Sequence, residues 1–196
     1  MNLVYIYNYE RGEKMKEEPL IITAIPGSGK SHFSKNHPKC FDYDGWFYDN
    51  ILVKNRGKLD KAEKHKLFLK HLDKFYKSGK HKYIFCPILL FDFQDVRNTI
   101  LTRYNTLTIY PCKELKTEWI NRLKNRQKEH PESTSDKLIE YWNTHFVEMS
   151  DILDREGANK TNYVKLDLVN KYLEDGFNIW KNRISISVEN VTVTIM

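Results

Sequence analysis

The chain has 196 residues, 40% of them hydrophobic, enough for one well-buried domain and too few for two of ordinary size. No apolar run approaches the roughly 20 residues of a membrane span. The first residues lack the basic stretch, long apolar core and small-residue cleavage site of an export signal, so a soluble protein of the cytoplasm is expected. Cys40, Cys86 and Cys112 are odd in number and spaced unlike a disulfide framework or a zinc site, which leaves them as reduced, packed thiols.

Leu3 to Tyr9 is rich in β-branched and aromatic residues and reads as a strand, yet Glu10-Arg-Gly-Glu13 follows it. Codons for that tetrapeptide spell a purine-rich ribosome-binding sequence of the kind that precedes bacterial and phage start codons. Met15 is therefore expected as the natural start, with residues 1–14 an extension ahead of a domain spanning residues 15–180.

The next apolar run, Leu20 to Ile25, predicts a buried strand, and Ala24-Ile-Pro-Gly-Ser-Gly-Lys-Ser31 runs straight out of it into a helix from Lys30 to about Asn36. Small residues at Gly27, Ser28 and Gly29 let successive backbone N–H groups curl around an anionic phosphate chain. Lys30 then reaches the terminal phosphates, Ser31 offers a hydroxyl to Mg²⁺, and the helix start favours negative charge. The residues expected to hold the phosphates of a nucleoside triphosphate are Ala24, Pro26, Gly27, Ser28, Gly29, Lys30, Ser31 and His32. Ala24 stands where the motif usually has its first glycine.

A second strand is expected from Cys40 to Tyr43, and Phe41-Asp-Tyr-Asp-Gly45 sits at its end, where strand ends of an α/β sheet open into a ligand crevice. Period-two geometry puts Asp42 and Asp44 on one side. Asp42 then supports Mg²⁺, and Asp44 accepts the proton of an attacking hydroxyl. The plainer reading is that they cap the turn at Gly45. Trp46, Phe47 and Tyr48 come next, either as core or as a stacking surface for a base.

Between Lys54 and Lys82 stand eleven lysines and arginines against three acids, so this segment carries +8 of a whole-chain net charge of +6. Phe68, Leu72, Phe75 and Tyr76 recur at helical spacing inside it, predicting a helix from Lys61 to Lys77. The charge is either a solvated helix face or a device that steers phosphorylated substrate or nucleic acid to a cleft.

Further strands are expected at Tyr83 to Ile88, Leu107 to Tyr110 and Tyr163 to Leu166, with helices around Gln94 to Arg103, from Lys113 to about Lys128, and from about Ser135 to Leu153. The third strand ends in Phe85-Cys-Pro87 and so lacks the acidic residue that many phosphate-loop ATPases place there; Asp92 and Asp95 read as caps. On the helix after Tyr110-Pro111, Leu115, Trp119 and Leu123 form the buried stripe, and Arg126 falls within its angular span. Arg122 and Arg126 either neutralise charge on transferring phosphate or, for Arg122, pair with Glu118 four residues earlier. Ile184 to Ile195 alternates apolar and polar and predicts two short strands, a β appendage over residues 181–196 that would pair with Leu3 to Tyr9.

Strands alternating with helices predict an α/β fold with a mostly parallel sheet flanked by helices. By the phosphate loop, the Asp42-Tyr-Asp44 pair after a short helix, and the segment from Tyr110 through Arg122 to Arg126, residues 18 to 155 resemble the small phosphate-loop nucleotide kinases of phage and bacterial genomes, relatives of adenylate, shikimate and polynucleotide kinases. The resemblance implies a lid role for Arg122 and Arg126, ATP and Mg²⁺ as cofactors, and the host cytoplasm as location if phage-encoded. The expected activity is phosphoryl transfer to a nucleoside or nucleotide. Two alternatives stay open: a kinase of polynucleotide ends or modified DNA bases, drawing on the Lys54–Lys82 segment, and a slow regulatory NTPase.

Overall fold

The computed structural model describes residues 18–88, 93–129, 131, 134–160, 162–167 and 172–189. The expectations for Leu3 to Tyr9, Glu10 to Glu13, Met15 and Asp92, and for residues 190–196, lie outside them.

Five strands, β1 (Leu20–Ala24), β2 (Cys40–Asp42), β3 (Tyr83–Pro87), β4 (Thr106–Pro111) and β5 (Tyr163–Leu166), form one sheet in the order β2-β3-β1-β4-β5. Every pairing is parallel. Central β1 is buried on both faces, and its alternation feeds two cores. Leu20, Ile22 and Ala24 enter one and Ile21 the other.

The first core holds α1 (Lys30–Asn36), α5 (Lys116–Glu129), α6 (Asp136–Gly157) and α7 (Leu173–Glu189) through Phe33, Trp119, Leu123, Phe146, Met149 and Phe177. The second packs α2 (Tyr43–Phe47), α3 (Lys61–Ser78) and α4 (Gln94–Arg103) through Tyr43, Phe47, Phe68, Leu72, Val96 and Ile100. Helix α3 starts on a capping box, in which Asp60 accepts from the Glu63 N–H at 2.8 Å and Glu63 accepts from the Asp60 N–H at 2.9 Å. A buried Arg97 on α4 bonds Glu156 on α6 and Tyr163 on β5, joining the two layers through the sheet edge.

Two expectations are corrected. The second strand stops at Asp42, because the Asp42 carboxylate accepts the Gly45 N–H at 3.0 Å and caps a helix that takes up Tyr43 and Asp44; a π-helical turn, Tyr48–Leu52, continues it. The β appendage is absent over residues 184–189, which continue α7. Leu173, Phe177, Trp180, Ile184 and Val188 recur at steps of three and four, so this stretch carries a helical period alongside its alternation. With Leu173 and Phe177 buried against the sheet, the helical period prevails.

All three cysteines are free and buried. Among the described residues no helix is long and apolar enough to cross a membrane.

Candidate active site

The loop between β1 and α1 sits at the carboxyl end of the central strand. Gly27 (φ 79°) and Gly29 (φ 94°) hold left-handed conformations that disfavour any other residue. A Cβ on Gly27 would also stand 3.3 Å from both Leu123 Cδ2 and Trp119 Nε1. Helix α5 buttresses the loop from below: the Trp119 indole N–H donates to the Pro26 carbonyl at 2.8 Å. From the other side, the Leu173 N–H at the start of α7 donates to the Ser28 carbonyl at 2.9 Å.

Lys30 is only 7% exposed. Its ammonium donates to the carbonyls of Ala24 at 2.9 Å and Ile25 at 3.1 Å and forms an ion pair with Asp44 Oδ2 at 3.2 Å. Next to it, Ser31 Oγ donates to Asp42 Oδ2 at 2.5 Å. Asp42 thus caps α2 with one oxygen and reaches the loop with the other. The two carboxylates do not share a strand face; helix α2 turns Asp44 onto Lys30, and both meet the loop by that route. Beneath them Cys86, at the end of β3, has its thiol pushed well up by burial and by nearby Asp44, which keeps it protonated.

The expected arginines part company. The Arg122 guanidinium lies 4.5 Å from the Trp119 ring centroid and 4.3 Å from that of Tyr172, and it bonds Glu118 Oε1 at 2.5 Å. Arg126, one turn on, is half-buried and makes no ion pair with a described residue. His32 is exposed, its ring 3.2 Å from Asn36 Nδ2 on the outer side of α1. Of the aromatic trio, Phe47 is buried, Trp46 packs against Tyr43 and Phe75, and Tyr48 is 43% exposed. Asp95 lies in the first turn of α4.

Tyr172 is the residue that sequence reasoning missed. It stands 46% exposed at the mouth of the loop, its Cδ1 3.7 Å from where a Cβ on Gly29 would sit. A signal was present: Asp175, three residues on, accepts the Tyr172 N–H at 2.8 Å, a helix-start pattern ahead of Phe177.

No family model matches the chain, and no curated protein does. Solved structures do. A gluconokinase from Sinorhizobium meliloti 1021 superposes with a TM-score of 0.55 at 10% identity, over 91% of this chain and 100% of its own. Shikimate kinase from Acinetobacter baumannii, in complex with shikimate, gives 0.51 at 13% identity, over 90% and 96%. The chain therefore has the fold of the P-loop kinases.

Proposed function

We propose that this protein is a Mg²⁺-ATP-dependent phosphotransferase that acts on a nucleoside or nucleotide. The observation that carries the reading is the convergence of Lys30 and Ser31 from the loop with Asp42 and Asp44 from the end of β2. The loop itself fits an anion: the Ser28 hydroxyl is 2% exposed yet has no hydrogen-bond partner, a cost usually avoided inside a protein. Its two left-handed glycines keep side chains out of the path of a phosphate chain.

Ser31 and Asp42 are the oxygens that would hold Mg²⁺. One hydroxyl and one carboxylate suit this ion, which normally takes one or two protein ligands and completes its shell with substrate phosphates and water. When bound, the ion neutralises charge on the transferring phosphates. Lys30 exchanges its contacts with Ala24, Ile25 and Asp44 for phosphate oxygens as the donor enters. That exchange frees the Asp44 carboxylate to take the acceptor hydroxyl proton while the acceptor oxygen bonds to the γ-phosphorus and ADP departs with the electrons of the broken P–O bond. Trp119 fixes the loop, Tyr172 offers a partly exposed ring beside it for the donor base, and Arg122 is held between the Trp119 and Tyr172 rings. Arg126, one turn on, is the arginine assigned to neutralise charge on the transferring phosphate.

The test is transfer of label from γ-labelled ATP to a panel of nucleosides, nucleotides, gluconate, shikimate and DNA ends. We expect a labelled nucleoside or nucleotide product, abolished in Asp44→Asn while affinity for an unreactive ATP analogue persists. Label appearing only as inorganic phosphate contradicts the reading and leaves a hydrolytic switch.

A further inference from the structure

We infer that the outer face of α3 is a docking surface for the phosphate backbone of duplex DNA. The inference rests on α3 alone and is independent of the phosphotransferase reading.

At 100° per residue, Lys66, Lys70, Lys74 and Lys77 fall within an arc of about 80°, and the buried residues Phe68 and Leu72 lie diametrically opposite. All four lysines are exposed. The fifth residue in the arc, Glu63, accepts the Asp60 N–H at the first turn and sets one negative charge against four positive ones. Only Lys77 is paired, with Asp73 at 2.6 Å; among the described residues Lys66, Lys70 and Lys74 form no ion pair.

A face that is merely solvated gains from alternating signs at i and i+4, as in Glu-to-Lys pairs. Here the i, i+4, i+8 positions all carry the same sign, so the stripe opposes its own helix. Helix α3 carries six lysines against two acids and lies inside the Lys54–Lys82 segment, which holds all of the excess positive charge of the chain. An external polyanion relieves the repulsion.

Duplex DNA fits the geometry. The stripe runs straight for about 16 Å, the length over which one strand presents roughly five phosphates. No aromatic side chain stands in the arc to stack on unpaired bases: Phe68 is buried, and Phe75 and Tyr76 lie toward the core. The apolar side of α3 is likewise committed to the core and unavailable for insertion into a lipid surface.

The experiment measures binding of the full chain to a labelled 20-base-pair duplex by fluorescence anisotropy, without ATP or Mg²⁺, across a salt series. The comparison is a variant carrying Lys66→Gln, Lys70→Gln and Lys74→Gln, with Lys124→Gln, Lys128→Gln and Lys137→Gln as the control triple. We expect wild-type dissociation constants in the range of about 10⁻⁶ to 10⁻⁴ M at physiological salt, and tighter binding as salt is lowered. The α3 triple should bind at least about tenfold more weakly, with the salt slope shallower by about three units. Its melting temperature should be no lower than that of wild type, because like-charge pairs are removed, and the control triple should keep most of the affinity. Absence of wild-type binding, equal loss in both triples, or preference for anionic phospholipid vesicles over duplex overturns the inference. Phosphoryl transfer does not enter the readout, so its failure and the failure of this surface are separate results.

Discussion

The two flanks of β1 are built from different residues, and under the proposed function they serve different tasks. On the donor side, the loop is clamped between α5 and α7 by buried or ring-packed groups: Lys30, Trp119, Leu123 and Leu173. On the other side, β2, α2 and α3 form an aromatic cluster, Phe41, Tyr43, Trp46 and Phe75, capped by half-buried histidines and an exposed row of lysines. The first side surrounds the loop with buried contacts, whereas the second buries its rings and leaves its lysines exposed. A phosphate donor is the same for many enzymes and rewards a rigid cradle, whereas recognition of an acceptor or partner depends on what side chains display.

The contrast is broken most severely at Lys30. Lys30→Ala should lower ATP turnover at least about a hundredfold, since a preorganised cation on transferring phosphate contributes several kcal/mol. Circular dichroism should show the fold kept, and steady-state kinetics supply the rate. Turnover near wild type in the folded variant would remove the donor side from catalysis.

Gly176→Ala probes the rigidity of the donor side where α7 crosses the sheet. A Cβ there would stand 2.5 Å from Ile109 Cγ2 and 3.2 Å from Leu166 Cδ2. Overpacking of this kind costs roughly 1–3 kcal/mol, a fall of several degrees in melting temperature for a domain of this size. Because α7 delivers Leu173 to the loop, affinity for ATP should fall with it.

Trp119→Phe sharpens the comparison with a smaller change, removing one N–H and keeping an aromatic ring. Loss of the bond to the Pro26 carbonyl should raise the Michaelis constant for ATP about three- to tenfold, the equivalent of about 1 kcal/mol, with acceptor affinity unchanged.

The smallest effect belongs to the aromatic side and is read as pH dependence. Burial, then Lys80, lowers the pKa of His81, which stacks on Phe41; burial, then Lys70 and Lys74, lowers that of His71. Below about pH 6.5 the unfolded chain takes up these protons more readily than the folded one, so stability is full above that value and falls as pH drops through the depressed folded pKa. Melting curves between pH 5 and 7 should show a shallower acid limb in a variant carrying His71→Gln and His81→Gln.

The sheet was legible in the sequence because all five strands are short apolar runs bounded by turns, and the phosphate loop because its glycines and lysine act locally. Helix α7 was missed where Ile184 and Val188 satisfy two periods at once and tertiary burial of Phe177 decides between them. The placement of Asp44 was missed because one capping bond from Asp42 converts a strand end into a helix. Tyr172 and the Trp119 bond bring residues 93 and more positions apart onto the loop, a proximity that no local pattern encodes.

The central claim, that Lys30, Ser31, Asp42 and Asp44 form one Mg²⁺-nucleotide site, is tested most directly by calorimetric titration of an unreactive ATP analogue with and without Mg²⁺. The account predicts saturable one-site binding strengthened by Mg²⁺ in the wild-type protein, and in Asp42→Asn binding that Mg²⁺ no longer strengthens. Absence of saturable heat, or an unchanged Mg²⁺ effect in Asp42→Asn, would contradict it.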